Sequence, residues 1–276
     1  MPNFISFHEK HFSEHHSLDR PVLEVDRLSY RYGSRYALEE VTFSLERGQR
    51  VAVVGPNGAG KSTLFKIIAG VITPANGRVN VYGDQPGGHI CIAYVPQRSQ
   101  VDWQFPVNVF DVVMMGRIGI LGLARLPGSE DKEVVQHCLE LVGMESFSQR
   151  QINELSGGQQ QRMFIARALA QQAELILMDE PLNGLDVPSQ DVIFQIFDNL
   201  RQRQVTIMVA THDLQQAAQR FDKVMLLNRK LLSFGNPEQA LTPEILLKTY
   251  GGHLHLISTQ DGSMVALGDT CCDDNG

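Results

Sequence analysis

The chain is short of several things. Of its 276 residues, four are cysteine and one is tryptophan. Cys91 and Cys138 stand alone, and Cys271 and Cys272 are adjacent near the end. There is no even framework of cysteines and no CxxC pair, which argues against a disulfide-stapled scaffold and fits a reducing compartment. Basic charge is also scarce. The 24 Lys and Arg against 31 Asp and Glu leave a net charge of −7. That balance argues against a nucleic-acid binder working through a broad basic surface. Long apolar runs are missing too. The longest apolar region, residues 107–126, is interrupted by Asp111, Arg117 and Arg125, so no run of about 18 apolar residues is available to cross a bilayer. The opening residues, MPNFISFHEKHFSEHH, have no positive start followed by an apolar stretch and are not expected to direct secretion. Core-forming residues are plentiful. An apolar content of 43% over this length suffices for one large α/β domain, or for one domain and a small lobe.

Residues 1–20 are polar, contain His8, His11, His15 and His16, and show no helix or strand period. They read as a flexible tail. Histidine-rich tracts can bind metal ions, but a polar leader that happens to contain imidazoles accounts for them equally. From Pro21 the pattern changes. Leu23–Val25 and Val41–Leu45 alternate like half-buried strands, and Arg50–Val54 is a short apolar strand. Leu64, Ile67 and Ile68 share a helix face that Gly70 is placed to end. Pro74 to Gly77 reads as a turn before a strand over Arg78–Tyr82. Residues 101–159 form a block of helical character, with a helix beginning at Ser129 and Gly143 beyond its end. Leu175–Met178 and Val205–Ala210 have the composition of buried parallel strands. A hairpin over 223–234 turns at Asn228 to Lys230, and Thr242 with Pro243 opens a last helix. The pattern predicts an α/β core over about 21–100 and 160–232, a helical subdomain over 101–159, a hairpin and helix over 233–257, and a tail over 258–276.

Arg50–Val54 runs directly into Gly55, Pro56, Asn57, Gly58, Ala59, Gly60, Lys61, Ser62 and Thr63. This is the pattern of a phosphate-binding loop. Its glycines let the backbone curl so that N–H groups point inward at phosphate oxygens. Lys61 is placed to reach the β- and γ-phosphates, and the Ser62 hydroxyl to bind Mg2+. The helix that follows adds its positive end. The strand over Leu175–Met178 is followed by Asp179 and Glu180, at the edge where α/β sheets bind ligands. Asp179 would support Mg2+, mainly through water, and Glu180 would orient or polarise the attacking water. Away from a phosphate loop, the same pair would read as ordinary strand-end acids.

A second glycine-rich string, LSGGQ, runs from Leu155 to Gln159. Ser156, Gly157 and Gly158 offer a hydroxyl and bare N–H groups at the start of another helix, a second place suited to an anion. This string, with the phosphate loop and the acidic pair, resembles the ATP-binding subunits of ABC (ATP-binding cassette) transporters over about residues 21–257. The resemblance implies an α/β fold, a P-loop ABC-type ATPase core with an antiparallel β subdomain and a helical signature subdomain. It implies ATP and Mg2+ as cofactors. It also implies a head-to-tail dimer, because the signature of one subunit closes on the ATP held by another. Tyr32, or alternatively Tyr30, is similar to the aromatic that stacks on adenine. Gln97 is similar to the glutamine that touches Mg2+ and water and joins the core to the helical block. Asp186 is similar to the aspartate of a loop that communicates across the dimer, and His212 to the histidine that contacts γ-phosphate.

Asp102 to Pro106, Val109, Asp111 to Arg117, and the stretch from Phe234 and Gly235 to Lys248–Gly252 resemble the ATPase subunits of manganese, zinc and iron importers. That resemblance implies a multi-span membrane permease and, indirectly, an extracytoplasmic metal-binding protein as partners, with this chain peripheral on the cytoplasmic face of the membrane. Alternatives are an ABC ATPase of another importer class, a soluble ABC ATPase of translation or DNA maintenance, and a module that binds ATP without hydrolysing it. Trp103 and Phe105 are candidates either for docking the permease or for packing the helical block. The adjacent Cys271 and Cys272 are poorly arranged for an unstrained chelate.

Overall fold

A computed structural model describes residues 20–85, 91–122, 125–251, 254–258 and 264–268. The histidines of the N-terminal tail and the Cys271–Cys272 pair lie outside the described residues. The frame is a six-stranded sheet in the order β5-β6-β7-β3-β8-β9, where β3 is Arg50–Val54, β5 Ile92–Val95, β6 Leu175–Asp179, β7 Thr206–Thr211, β8 Lys223–Asn228 and β9 Lys230–Gly235. All neighbours are parallel except β8 and β9, which form the expected hairpin. Arg229 turns that hairpin in the left-handed region, at φ 59°.

The strands are apolar on both faces because both faces are covered. Val51 and Val53, Leu175 and Leu177, and Met208 and Ala210 face one core. Ala52 and Val54, Ile176 and Met178, and Ile207 and Val209 face the other. The first core is closed by helix α1 (Lys61–Ile68) and by an antiparallel sheet in the order β2-β1-β4, made of β1 (Leu23–Tyr32), β2 (Arg35–Leu45) and β4 (Asn76–Val81). The first two strands run further than their apolar alternation suggests, because irregularities at Arg27 (φ 45°) and Glu40 (φ 50°) reset the register without ending the pairing. Asn76 and Gly77, expected in a turn, open β4, and Tyr82, expected in that strand, lies beyond it at φ 52°.

The second core is closed by α2 (Val109–Met114), α4 (Ser129–Leu141), α5 (Gly157–Ala170) and α6 (Val187–Gln202), with α3 (Ile118–Leu121) between the first two. The described residues of 101–158 contain helices and no named strand. A buried ion pair fastens this block to α5. Arg117 Nε lies 3.1 Å from Asp131 Oδ1, and Arg117 Nη1 donates to Ala170 O at 3.1 Å. Helix α7 (Leu214–Arg220) follows β7, and two short helices, α8 (Pro237–Ala240) and α9 (Pro243–Tyr250), follow the hairpin. Thr242 sits at the cap of α9 but makes no side-chain bond to it; Pro243 sets its first turn. Strands β10 (Leu254–Ser258) and β11 (Met264–Gly268) pair antiparallel, the second of them in a stretch whose sequence reads as a tail.

Candidate functional site

The parallel order brings the C-terminal ends of β6, β7 and β3 side by side, and the residues that follow these strands form the site. After β3 comes the phosphate loop. A Cβ on Gly55 would stand 2.0 Å from Leu227 O, so the backbone passes β8 too closely for any side chain. Gly60 has φ 100°, and a Cβ there would meet Ala37 O at 2.3 Å. Two independent constraints therefore require glycine at that position. Ala59 is pinned from both sides, its N–H donating to Pro56 O at 3.1 Å and its carbonyl accepting from Arg229 N at 2.8 Å. Gly58, at φ 75°, has open space around it. Helix α1 begins at Lys61 with no acidic residue in its first turn, so its positive end is uncompensated.

Lys61 is buried, and its Nζ donates to Gly55 O at 2.6 Å and Pro56 O at 3.2 Å. Burial pushes its pKa down, opposed by the charges of Glu180 and Asp179. Both carboxylates thus act on the ammonium of the phosphate loop. Asp179 ends β6, is 4% exposed, and has one oxygen, Oδ2, buried without a hydrogen bond. Desolvation raises its pKa above the usual carboxylate range, against the lowering influence of the Ser62 hydroxyl, with Glu180 raising it further. A buried carboxylate with a spare oxygen beside a serine hydroxyl is the donor set of a small hard cation. The fit to Mg2+ therefore rests on Ser62 and Asp179. Gln97 stands beside this group, with its amide nitrogen on Glu180.

Gln97 Nε2 donates to Glu180 Oε2 at 3.2 Å, and Asn183 Nδ2 donates to the same oxygen at 3.1 Å. Glu180 itself has φ 50°, a left-handed conformation that costs a non-glycine residue about 1 kcal/mol or more. Its N–H donates to Ala210 O on β7 at 3.0 Å, which holds the bend in place. In the sequence Asn183 stands only as the first residue of the NGLD string that ends at Asp186, with no role of its own. Its only signal is an amide three residues beyond the carboxylate it orients. Tyr94, also missed, lies near Asp179, and its hydroxyl pKa is raised by burial first and by that carboxylate second. His212 follows β7 and is exposed. It shares with Glu180, Asn183, Gln190, Asp213 and Gln216 a cleft of about 130 Å³.

Tyr32 is 55% exposed at the end of β1, with its ring edge-on to Tyr30 at 5.0 Å, whereas Tyr30 packs against the first core. Of the two tyrosines, Tyr32 has the free face. It pairs with Arg35, and Ala37, two residues further along β2, touches Gly60. The β1–β2 turn thus stands beside the phosphate loop.

The signature lies apart from this group. Ser156 caps α5 reciprocally: its Oγ accepts from Gln159 N at 3.4 Å, and Gln159 Oε1 accepts from Ser156 N at 2.9 Å. The glycines are crowded within their own chain. A Cβ on Gly157 would meet Arg98 Nη1 at 2.5 Å, and one on Gly158 would meet Ser189 Oγ at 2.9 Å. Ser156, Gly158, Gln159, Arg162, Pro188, Ser189 and Val192 line a second cleft of about 200 Å³ that has no residue in common with the Glu180 cleft. Asp186 stands at the N-terminus of α6, its pKa lowered chiefly by a hydrogen bond from Ser189. One chain thus carries the phosphate-loop edge and, apart from it, a glycine-rich helix start of a kind suited to an anion. Trp103 is partly buried, edge-on to Phe164 at 5.7 Å, with its Nε1 donating to Arg98 O at 3.1 Å; Phe105 is 56% exposed. Among the described residues no group of three or more His, Cys, Asp or Glu is placed to hold a metal ion.

A family model described as ABC transporter matches residues 38–183. The manganese transport system ATP-binding protein MntB of Halalkalibacterium halodurans is 47% identical over 247 residues, which cover 89% of this chain and 98% of that protein. The zinc transport system ATP-binding protein TroB of Treponema pallidum is 45% identical, over 84% of this chain and 88% of that one. A solved chain of a metal-chelate type ABC transporter in an inward-facing conformation superposes with a TM-score of 0.78 at 30% identity, covering 91% of this chain and 99% of that chain.

Proposed function

Since the chain belongs to the ABC transporter family, as an ATP-hydrolysing subunit close to those of manganese, zinc and iron transport systems, we propose that it powers import of a divalent metal ion through a separate membrane permease. Manganese is the preferred ion, ahead of zinc and iron. The names of the relatives support the metal; among the described residues no group is placed to hold the transported ion, and in this reading selection falls to the permease and an extracytoplasmic binding protein. Among the described residues no helix is long and apolar enough to cross a membrane; in this reading the chain attaches peripherally to the permease at the cytoplasmic face, as the names of the transport-system relatives support.

The observation that carries the reading is the arrangement around Glu180. Two amides, Gln97 and Asn183, hold one oxygen of its carboxylate, beside buried Asp179 and Lys61. Residues Gly55 to Thr63 cradle the phosphates of ATP through backbone N–H groups, Lys61 neutralises the β- and γ-phosphates, and Tyr32 offers its free face to the adenine ring. Ser62 and Asp179 would hold Mg2+, which when bound neutralises charge on the phosphates. Glu180 accepts a proton from, or orients, the attacking water, and His212 approaches the γ-phosphate from the end of β7. Ser156, Gly157, Gly158 and Gln159 close on the ATP of a second copy, with Asp186 beside the junction. The two clefts without a common residue support that head-to-tail arrangement.

The test is Glu180→Gln, which keeps the shape and removes the carboxylate. In the assembled complex ATP should still bind while turnover falls roughly 10²-fold or more. Near-normal turnover would remove Glu180 from the chemistry. Uptake of radioactive manganese, zinc and iron by cells with and without the complex identifies the ion.

A further inference from the structure

The chemistry proposed above makes no use of the side-chain amides of Gln190 and Gln216, yet they join two segments that bear on Glu180. Gln190 lies in the first turn of α6 and Gln216 in the first turn of α7, and both line the Glu180–His212 cleft. Gln190 Nε2 donates to Leu185 O at 3.0 Å and to Leu182 O at 3.4 Å. Gln216 Nε2 donates to Gln190 Oε1 at 2.8 Å. The sense of the Gln190 amide follows from its partners. Only its nitrogen can face two carbonyls, so its oxygen must face Gln216. Backbone groups complete a circuit. Gln216 N donates to Asp213 Oδ1 at 2.8 Å, Asp213 N donates to Thr211 Oγ1 at 3.1 Å, and Glu180 N donates to Ala210 O at 3.0 Å. From Glu180 the chain runs through residues 181–185, crosses to Gln190, then to Gln216, and returns along Asp213 to the end of β7.

We propose that Gln190 is a positioning residue for hydrolysis, anchored by Gln216. The amide pair ties the turn after Glu180 to the segment carrying His212, so these two side chains keep a fixed relation. The left-handed backbone at Glu180 gives this tie its purpose, because a strained conformation persists only where surrounding bonds over-determine it. Without the tie, residues 181–185 relax, Asn183 shifts with them, and the carboxylate loses its place between the Gln97 and Asn183 amides. The proposal rests on the reading of Glu180 as the group that acts on water.

The test is the ATPase activity of the full-length chain, alone and in the assembled transporter, from pH 6 to 8.5. In Gln190→Glu an unprotonated oxygen faces the Leu182 and Leu185 carbonyls. The expected loss in kcat at pH 8 is roughly 10- to 100-fold, the scale of a misplaced reacting group, with KM for ATP within about threefold of the parent. A protonated glutamic acid donates to a carbonyl as the amide does, so the variant-to-parent ratio rises as pH falls. The other charged groups around the cleft, Glu180, His212, Asp213 and Asp186 with the Asp191–Arg220 pair on the adjoining helices, are present in variant and parent alike, and the Gln190→Leu ratio is the control for them. Gln190→Leu, with no donor at all, loses a similar factor at every pH. Gln216→Glu, at the other end of the tie, sets an oxygen against Gln190 Oε1 and shows the same rise toward acid. A flat pH ratio in both glutamate variants, or a change in KM without one in kcat, overturns the proposal. So does activity of Gln190→Leu within about twofold of the parent. If Glu180→Gln is inactive while the Gln190 variants match the parent, only the positioning role falls. If Glu180→Gln keeps its turnover, the reading of Glu180 falls on its own evidence.

Discussion

Asp179→Asn should make the protein more stable and inactive at once. The carboxylate is 4% exposed, and its Oδ2 has no hydrogen bond. An unsatisfied buried acceptor costs about 1–3 kcal/mol, and more when charged. An asparagine keeps one oxygen for the Ser62 hydroxyl and brings a nitrogen that can donate to the buried Tyr94 hydroxyl, which lies against this side chain. Loss of attraction to Lys61 works the other way, but burial outweighs it, since the pKa of Asp179 is raised despite Lys61. A net gain of about 1–2 kcal/mol corresponds to roughly 2–8 °C in Tm for a chain of this size. The pH dependence has a definite sign. A carboxyl whose pKa is higher folded than unfolded binds its proton more tightly in the native state, so the parent loses stability as pH rises above about 4. Asparagine does not titrate, and the advantage of the variant grows from acid toward neutral pH. Thermal melts in EDTA from pH 5 to 8, repeated with Mg-ATP, measure both effects. Ligand at a hundredfold excess over Kd stabilises by about 2.7 kcal/mol, and the variant should show much less of that gain. A variant that melts below the parent in EDTA at pH 8, or gains as much from Mg-ATP, refutes the placement of this carboxylate as a cation site.

Trp103→Ala should lower stability by about 3–5 kcal/mol, the cost of removing a packed aromatic, since its ring meets Phe164 and its Nε1 bonds Arg98 O; Phe105→Ala should leave the melt unchanged and weaken co-purification with the permease. Equal effects of the two on assembly, with no change in Tm, would refute that division. Mixed dimers of a Gly158→Asp chain and a Lys61→Ala chain should retain one occupied nucleotide site, because one composite site then carries both lesions. Nucleotide counts no better than either parent would refute the head-to-tail arrangement. Gly60→Ala should abolish nucleotide binding, as its Cβ has no room beside Ala37 O; equilibrium dialysis with ATP checks it.

What the sequence reveals of this site depends on how each residue acts. The phosphate loop is legible because Gly55 and Gly60 work through their lack of a side chain, a demand that only one residue type meets. Asp179 and Glu180 are legible because an apolar strand ends on them. Sequence does not tell Tyr32 from Tyr30, because stacking needs only an aromatic; the fold gives them different exposure. Asn183, Gln190 and Gln216 were invisible. Surface amides are common, and their effect lies in which carbonyl or carboxylate the fold brings to them. The same limit applies to the fold. The buried strands declare themselves by composition, whereas the length of β1 and β2 depends on pairing across register shifts, and the β10–β11 pair has no clear alternation to announce it.

The reciprocal cap at the start of α5 bears on how two copies would part. Ser156 and Gln159 already satisfy one another's N–H groups. A phosphate arriving from a second subunit would therefore displace bonds as well as make them, and an exchanged hydrogen bond is worth about 1 kcal/mol or less. When the phosphate leaves, the Ser156 and Gln159 N–H groups would fall back on each other's side chains. In the head-to-tail dimer proposed here, such a contact would hold two subunits together only while the nucleotide is present, a clasp that releases as readily as it closes.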